Sequence, residues 1–541
     1  MTIALSILGT IATLFAGWRA LRRIRFFLHV FQLETYKFDR YGGWLQDHLF
    51  SAVLRRSHAA GAILLGGGVL GLAYVDPGGV ATAILPLWAL AFISSRRYRS
   101  DQEKKPLAFT ARMTRLAVAT GLVAALPLLL GALYGGMTGS PVWILWCLLG
   151  VWITDLGAPL WVAAGAGLTQ PLETIIQEGF KRDARRRLRE RPDLTLIGIT
   201  GSYGKTSTKF IVAELLRQKY NVYATPSSYN TPMGLCLAIN EDLKPEHQML
   251  VLEYGIRYPG DMDELCDIVA PDASVVTTVG LAHLQTMGSK DAIAQEKGKL
   301  VDHTTEDGPT ILNADDERVD AMADRASGPV WRISATGDPD ADITAHDVQY
   351  DTGGTAFRVR DDTGTEAPFR TKLLGKHNVT NVLLAVAVGR SQGLRLRQMA
   401  HAAERIEPIE HRLQLRERGA ITVIDDAFNS NPVGARNAVE ILGQMNGGRR
   451  VIVTPGMVEL GDRQWAENNT FGTHIAHHNL DLAVLIGDDQ TAAIQEGLAE
   501  ADFPADRVKV FPSLFEAQDF LDRHLTSGDV VLYENDLPDQ Y

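Results

Sequence analysis

The 541-residue chain has only three cysteines, Cys147, Cys236 and Cys266. They are too few and too far apart for a disulfide framework or a thiolate metal cluster, and read as ordinary thiols of a reducing compartment. Basic stripes with interleaved aromatics are missing, which sets nucleic acid aside as a partner. The Asn-Lys-x-Asp guanine motif is missing as well. Acidic residues are scarce at the front: residues 1–193 carry 22 Lys+Arg against 12 Asp+Glu, whereas the remaining 348 carry a net −21 within a total of −11. The two parts are built for different surroundings.

The basic part is also the apolar one. Five apolar segments occur before residue 170, at about 3–18, 60–75, 79–93, 116–134 and 142–168. The first is short, and its basic residues (Arg19, Arg22, Arg23, Arg25) follow it rather than precede it. That charge order is the reverse of a signal peptide, so an uncleaved anchor is expected. The loops 19–58 and 94–115 hold eight and seven Lys/Arg, while 76–79 and 135–140 hold none. By the positive-inside rule this alternation predicts a multi-pass protein of the cytoplasmic (inner) membrane, with everything after residue 170 in the cytoplasm. Spans two and three are near the lower length limit and allow a re-entrant hairpin. Asp155 lies within the fifth span, either as a functional carboxylate or as a helix–helix contact. Residues 171–193 read as a basic juxtamembrane helix against anionic headgroups.

Beyond it, a strand-like run (Leu194–Ile197) leads into Gly198–Lys209, GITGSYGKTSTK, and then into a helical pattern. A strand, a glycine turn and a helix start aim backbone N–H groups and a helix dipole at one point, which suits a phosphate chain. Gly201, Ser202, Tyr203, Gly204, Lys205, Thr206 and Ser207 form the candidate nucleotide loop. Lys205 would reach the β/γ-phosphates, and Thr206 would bind Mg²⁺. The common pattern places glycine at position 199, which here is Ile199.

Strand-like runs then alternate with helical patterns, which predicts a mostly parallel sheet wrapped by helices. Such sheets bind ligands at the carboxyl ends of their strands. Three polar residues fall there: Glu253, His283 and Lys297. Taken singly, each has a plainer reading, as a solvated loop carboxylate, a structural histidine and a surface lysine. A second alternating block from about residue 421 predicts a separate, smaller Rossmann-like α/β domain. The expected domains are 1–170 (membrane), 171–193 (basic helix), 194–405 (ATP-binding) and 406–541 (C-terminal).

In collinear order the chain contains Thr200–Thr206 (TGSYGKT), Tyr229–Gly234 (YNTPMG), Leu252–Gly255, Gly280–His283, Glu296–Gly298 and Leu312–Asp315. Gly375–Asn381 (GKHNVTN), His411-Arg412, Asp425–Pro432 (DDAFNSNP) and Gly456–Gly461 (GMVELG) follow. Over about residues 194–490 this set resembles the Mur ligases, the ATP-dependent amide-bond ligases of peptidoglycan precursor synthesis, and is most similar to the D-alanyl-D-alanine-adding branch. In that family TGxxGKT is the normal loop, so Ile199 is a family trait.

The resemblance implies roles. A substrate carboxylate attacks the γ-phosphate of ATP to give an acyl phosphate, which an amine then displaces. Lys205 would stabilise the transferring phosphoryl group, Thr206 and Glu253 would hold one Mg²⁺, and His283 would help hold a second. Lys297 matches the lysine that the family carbamylates. Asn381 would meet the adenine, while Arg412 and Asp426 would reach ATP from the last domain. Three departures accompany the likeness. Membrane segments replace the domain that holds the UDP-sugar end of the substrate, Phe428 replaces a tyrosine, and the C-terminal Lys-Gly-Ser-Arg motif is lacking. The expected function is therefore an ATP-dependent ligase of a peptidoglycan precursor, with small-molecule peptide and nucleotide-sugar substrates, membrane lipids around the N-terminal spans and an envelope-synthesis complex as its setting. The alternatives are a membrane-associated ligase for another envelope polymer such as poly-γ-glutamate, and an ATP-switched transport, signalling or scaffold protein.

Overall fold

The computed structural model describes residues 2–55, 107–138, 143–226, 229–408, 413–426, 432–458 and 463–535, with a few positions between 57 and 66 and Leu460. Most of span two, all of span three, and the residues His411, Arg412 and Phe428 lie outside the described residues. The chain divides into two units, Met1–Gly179 and Phe180–Tyr541.

The first unit is helical, with helices Thr2–Leu33, Phe38–Asp47, Ala111–Thr138, Trp143–Leu156 and the start of Ala158–Arg189. Glycine lets two of these helices close up: a Cβ on Gly150 would lie 2.5 Å from the Pro127 carbonyl oxygen. Small residues at such contacts are how helices associate where apolar surroundings supply no hydrophobic drive. Among the described residues one helix, Ala111–Tyr134, is long and apolar enough to cross a membrane. Its 24 residues rise about 36 Å, against about 30 Å of bilayer hydrocarbon. Its Leu122, Leu126, Leu129, Leu130 and Leu133 are all exposed.

The fifth expected span is not one straight helix. It breaks at Gly157 into two helices bent by 71°, which together pass the same length and apolarity test. Nor does a helix begin near 171, because Ala158–Arg189 runs unbroken through Pro171. Asp155, just before the break, is fully buried and accepts from His58 Nε2 at 2.8 Å and Arg19 Nε at 3.3 Å. It therefore joins Arg19 of the first helix across a helix-to-helix contact, beside the broken turn at Gly157.

The second unit holds two sheets. The first comprises β1 (Thr195–Thr200), β2 (Val222–Ala224), β3 (Met249–Glu253), β4 (Ala273–Val276), β5 (Thr310–Asn313), β6 (Val330–Ser334), β7 (Ile343–Asp351), β8 (Gly354–Arg360) and β9 (Glu366–Thr371). Their order is 2-3-1-4-5-6-7-8-9. Strands up to β7 pair in parallel, and β8 and β9 add an antiparallel edge. The apolar run of β3 is buried along its whole length, as a parallel strand covered on both faces must be.

Alternation along each strand separates the two faces. Ile197, Ile199, Met249 and Val251 pack with the helices Lys205–Leu216 and Lys376–Ser391. Leu250 and Leu252 point the other way, onto Leu235, Leu265 and Leu300. Glu253 continues the odd-numbered series, so its carboxylate is delivered to the face of the helix that follows the nucleotide loop.

The second sheet comprises β10 (Gln414–Arg418), β11 (Ile421–Asp426), β12 (Arg450–Thr454), β13 (Leu482–Ile486), β14 (Val508–Phe511) and β15 (Val530–Glu534). Its order is 10-11-15-12-13-14, parallel except for the β10–β11 pair. Asp426 ends β11 on the face of Ile424, which packs with Ala435, Val439 and Leu442 of the helix Pro432–Gln444.

Candidate active site

The strand order places β1 between β3 and β4, so the chain leaves β1 toward one edge and β4 toward the other. That reversal is the switch point where a parallel sheet opens a crevice, and the nucleotide loop sits there. Ile199 pairs with Glu253 across β1 and β3, and Thr200 with Val276 across β1 and β4. The ends of three strands therefore converge on residues 201–205.

The loop is held closely from the β4 side. Ser202 N donates to Thr278 O at 2.7 Å, and Thr277 Oγ1 donates to Tyr203 O at 2.6 Å. A Cβ on Gly201 would fall on Thr277 Oγ1. Gly204 has φ +79°, a conformation that costs other residues about 1 kcal/mol or more, and its Cβ would lie 2.7 Å from Asn381 Oδ1. Asn381 is buried beneath the loop, accepting from Thr208 Oγ1 at 3.1 Å and donating to Asn378 Oδ1 at 3.2 Å. The structure places it as a support of the loop's helix.

Glu253 gathers the polar groups. Thr206 Oγ1 donates to its Oε2 at 2.8 Å, and Asn230 Nδ2 donates to Oε1 at 3.0 Å. Lys209 Nζ reaches Oε2 at 3.4 Å and the Pro226 carbonyl at 3.2 Å, with no exposed surface. Sequence reasoning missed Lys209 and Asn230 as site residues. The available signal was spacing: Lys209 lies one helical turn after Lys205, on the same face. Lys205 Nζ itself folds back onto the Gly201 carbonyl at 2.9 Å. Burial lowers its pKa, against the pull of Glu253.

Lys297 sits on the helix Lys290–Asp302, capped by Ser289, whose hydroxyl accepts from Ala292 N. It is 1% exposed, and among the described residues its ammonium has no hydrogen-bond partner. Burial, then the Lys205 charge, push its pKa down to about 7. The neighbouring Glu296 is spent elsewhere, accepting from Gly260 N and Met262 N at 2.9 and 3.0 Å and pairing with Lys299. His283 stands exposed in the loop after β4, in the left-handed region at φ 66°. Partial desolvation and the charges of Lys297 and Lys205 lower its pKa. These mutual shifts bring Lys205, His283 and Lys297 into one electrostatic neighbourhood.

The donors suit a Mg²⁺-nucleotide. Among the described residues Ser202 Oγ is buried and unpartnered, and Thr206 and Glu253 offer adjacent hard oxygens. Asp426 lies on the second sheet, accepting from Leu413 N at 3.0 Å, with its carbonyl taking Asn535 N at 3.2 Å.

A phosphate loop at the switch point, a carboxylate on the adjacent strand end and a buried lysine with an amine-like pKa define an ATP-dependent ligase on a two-sheet α/β scaffold. The chain belongs to the Mur ligase family: the Mur ligase middle domain model matches residues 199–389, and the Mur ligase glutamate ligase domain model matches 411–533. It is an ATP-dependent acid–amino acid ligase. It is 35% identical over 358 residues to UDP-N-acetylmuramoyl-tripeptide–D-alanyl-D-alanine ligase of Mycobacterium tuberculosis, covering 63% of this chain and 70% of the relative. A crystal structure of MurF from Acinetobacter baumannii superposes with TM-score 0.57 at 27% identity, covering 66% of this chain and 77% of that one. A MurF ligase from Thermotoga maritima in complex with ADP shares the fold, with TM-score 0.55 at 24% identity over 66% of this chain and 80% of that one.

Proposed function

We propose that this chain joins D-alanyl-D-alanine to the terminal carboxylate of a UDP-muramoyl-tripeptide or a closely similar peptidoglycan precursor, at the cytoplasmic face of the cell membrane. Support comes from the relatives' named activity and from the matched domains. The observation that carries the mechanism is Lys297, buried, without a hydrogen-bond partner among the described residues and with its pKa brought to about 7. A lysine in that state is about half neutral amine near pH 7, against almost none for an ordinary lysine, and the neutral amine is the form that adds CO₂ to give a carbamate and a released proton. The carbamate replaces a cation that would repel Mg²⁺ with an anionic oxygen ligand.

Thr206 and Glu253 would hold one Mg²⁺, and His283 with carbamylated Lys297 a second; bound there, the metal neutralises phosphate charge. Lys205 leaves its carbonyl partner to meet the γ-phosphate. The substrate carboxylate then attacks that phosphorus, ADP departs, and the amine displaces phosphate from the acyl phosphate. Asp426 and Arg412 complete the nucleotide's surroundings from the C-terminal domain, and closure excludes the water that would hydrolyse the intermediate.

The helical unit is the membrane part of this reading. Its support is the apolar helix Ala111–Tyr134, the bent pair that follows and the basic loops around them. The alternative is a membrane-associated ligase for another envelope polymer such as poly-γ-glutamate, on the ground that apolar segments occupy the place of the family's UDP-sugar-holding domain. Incubating the full chain with ATP and either UDP-muramoyl-tripeptide plus D-alanyl-D-alanine or glutamate separates the two by the amide formed.

A further inference from the structure

The helical unit contains a cavity of about 110 Å³ that the ligase chemistry does not use. One wall is apolar, made by Phe31, Phe38 and Leu116. The opposite wall is a polar stripe of the helix Ala158–Arg189: Gln170, Glu173 and Gln177, spaced three and four residues apart and therefore on one helical face. The outward stripe of that helix is the reverse, with Leu168, Leu172 and Ile175 exposed. A helix that shows apolar residues outward and amides toward a cavity is arranged to receive something polar from an apolar medium.

The cavity carries positive charge. Glu173 is buried, and both its oxygens are taken by Arg115, at 2.6 and 2.9 Å. Arg112 lies over the Tyr36 ring at 4.0 Å and comes no nearer to Glu173 than 3.9 Å, beyond hydrogen-bond reach. Among the described residues its guanidinium makes no hydrogen bond, nor do the side-chain amides of Gln170 and Gln177. Two arginines against one satisfied carboxylate leave a net positive charge, with a planar donor fork aimed by an aromatic face. That is the geometry for a phosphate. Arg112 also belongs to the first turn of the apolar helix, so its depth is that of a lipid headgroup rather than of the hydrocarbon.

We propose that this cavity binds the phosphate of a long-chain lipid at the cytoplasmic face of the membrane. Arg112 grips the phosphate oxygens, the Gln170 and Gln177 amides donate to them, and the chain leaves past the apolar wall of Phe31, Phe38 and Leu116. The inference rests on the membrane reading of the helical unit, and flotation of the full chain with membranes tests that reading separately.

The test is native mass spectrometry of the full chain in mild detergent with a polyprenyl phosphate, a polyprenyl diphosphate, phosphatidylglycerol and, as zwitterionic control, phosphatidylcholine. At least one anionic lipid should be retained about tenfold better than phosphatidylcholine, the worth of one charge-assisted contact. Preference for the polyprenyl forms identifies a carrier lipid, and equal retention of phosphatidylglycerol identifies a bulk headgroup site. Arg112→Gln should remove the preference and Arg112→Lys restore part of it, with ATP binding unchanged in both. Gln170→Ala/Gln177→Ala, which leaves the arginines in place, should weaken it severalfold. A membrane-bound chain that retains all four lipids alike, or whose preference survives Arg112→Gln, overturns the proposal.

Discussion

Thr206 Oγ1 donates a 2.8 Å hydrogen bond to Glu253 Oε2, joining the first turn after the nucleotide loop to the end of the neighbouring strand. The pair also fixes Lys209, which has no exposed surface and reaches the same oxygen. Glu253→Gln keeps the shape but removes the charge. ATP-dependent turnover should fall by ~10²-fold or more, the scale of losing a charge-stabilising group, in a steady-state assay across Mg²⁺ concentrations. Glu253→Ala also strands a buried ammonium, and should lower unfolding free energy by about 3–5 kcal/mol in urea titration.

Lys297 should give stability an alkaline slope. Its folded pKa of about 7 lies below the unfolded value of 10.5, so between these pH values the unfolded chain binds more protons. Stability contributed by this group therefore rises from pH 7 toward 10.5, and is lost as pH falls through 7. Lys297→Met should flatten that slope in denaturant titrations at pH 6.5 and 9. It should also abolish amide synthesis, and Lys297→Ala should be partly rescued by a small added carboxylate.

Gly201→Ala should be worse than Gly204→Ala for fold and function alike. At 201 the added carbon falls on Thr277 Oγ1, whereas at 204 it meets only the end of the Asn381 side chain at 2.7 Å, on top of a left-handed backbone cost of about 1–2 kcal/mol. Nucleotide affinity by isothermal titration and melting temperature should both rank the variants in that order.

Much of the catalytic half was legible because its signals are local. A strand, a glycine turn and a helix start are contiguous in 194–216, and the fully apolar run of β3 announces a strand covered on both faces. What was not legible depended on distant partners. Lys209 looks like any lysine on a helix until β3 brings Glu253 beside it, and the bond from Thr208 to Asn381 joins residues 173 positions apart, which no local pattern announces. The antiparallel edge β7–β9 hides behind short alternating runs such as Glu366–Thr371, weaker than the long buried runs of the parallel strands. In the helical unit, charge order showed where loops turn but not that Gly157 bends a helix, nor that the helix through Pro171 has no boundary there.

Amide-bond formation at the expense of ATP on a muramoyl-peptide acceptor is the activity from which every other role follows. The most direct measurement mixes the full chain, Mg²⁺-ATP, UDP-muramoyl-tripeptide and D-alanyl-D-alanine, with mass spectrometry of the product and parallel assay of ADP and phosphate. A pentapeptide product should form in one-to-one ratio with ADP and be lost in Lys205→Ala. ADP release with no amide product from the wild-type chain would contradict it.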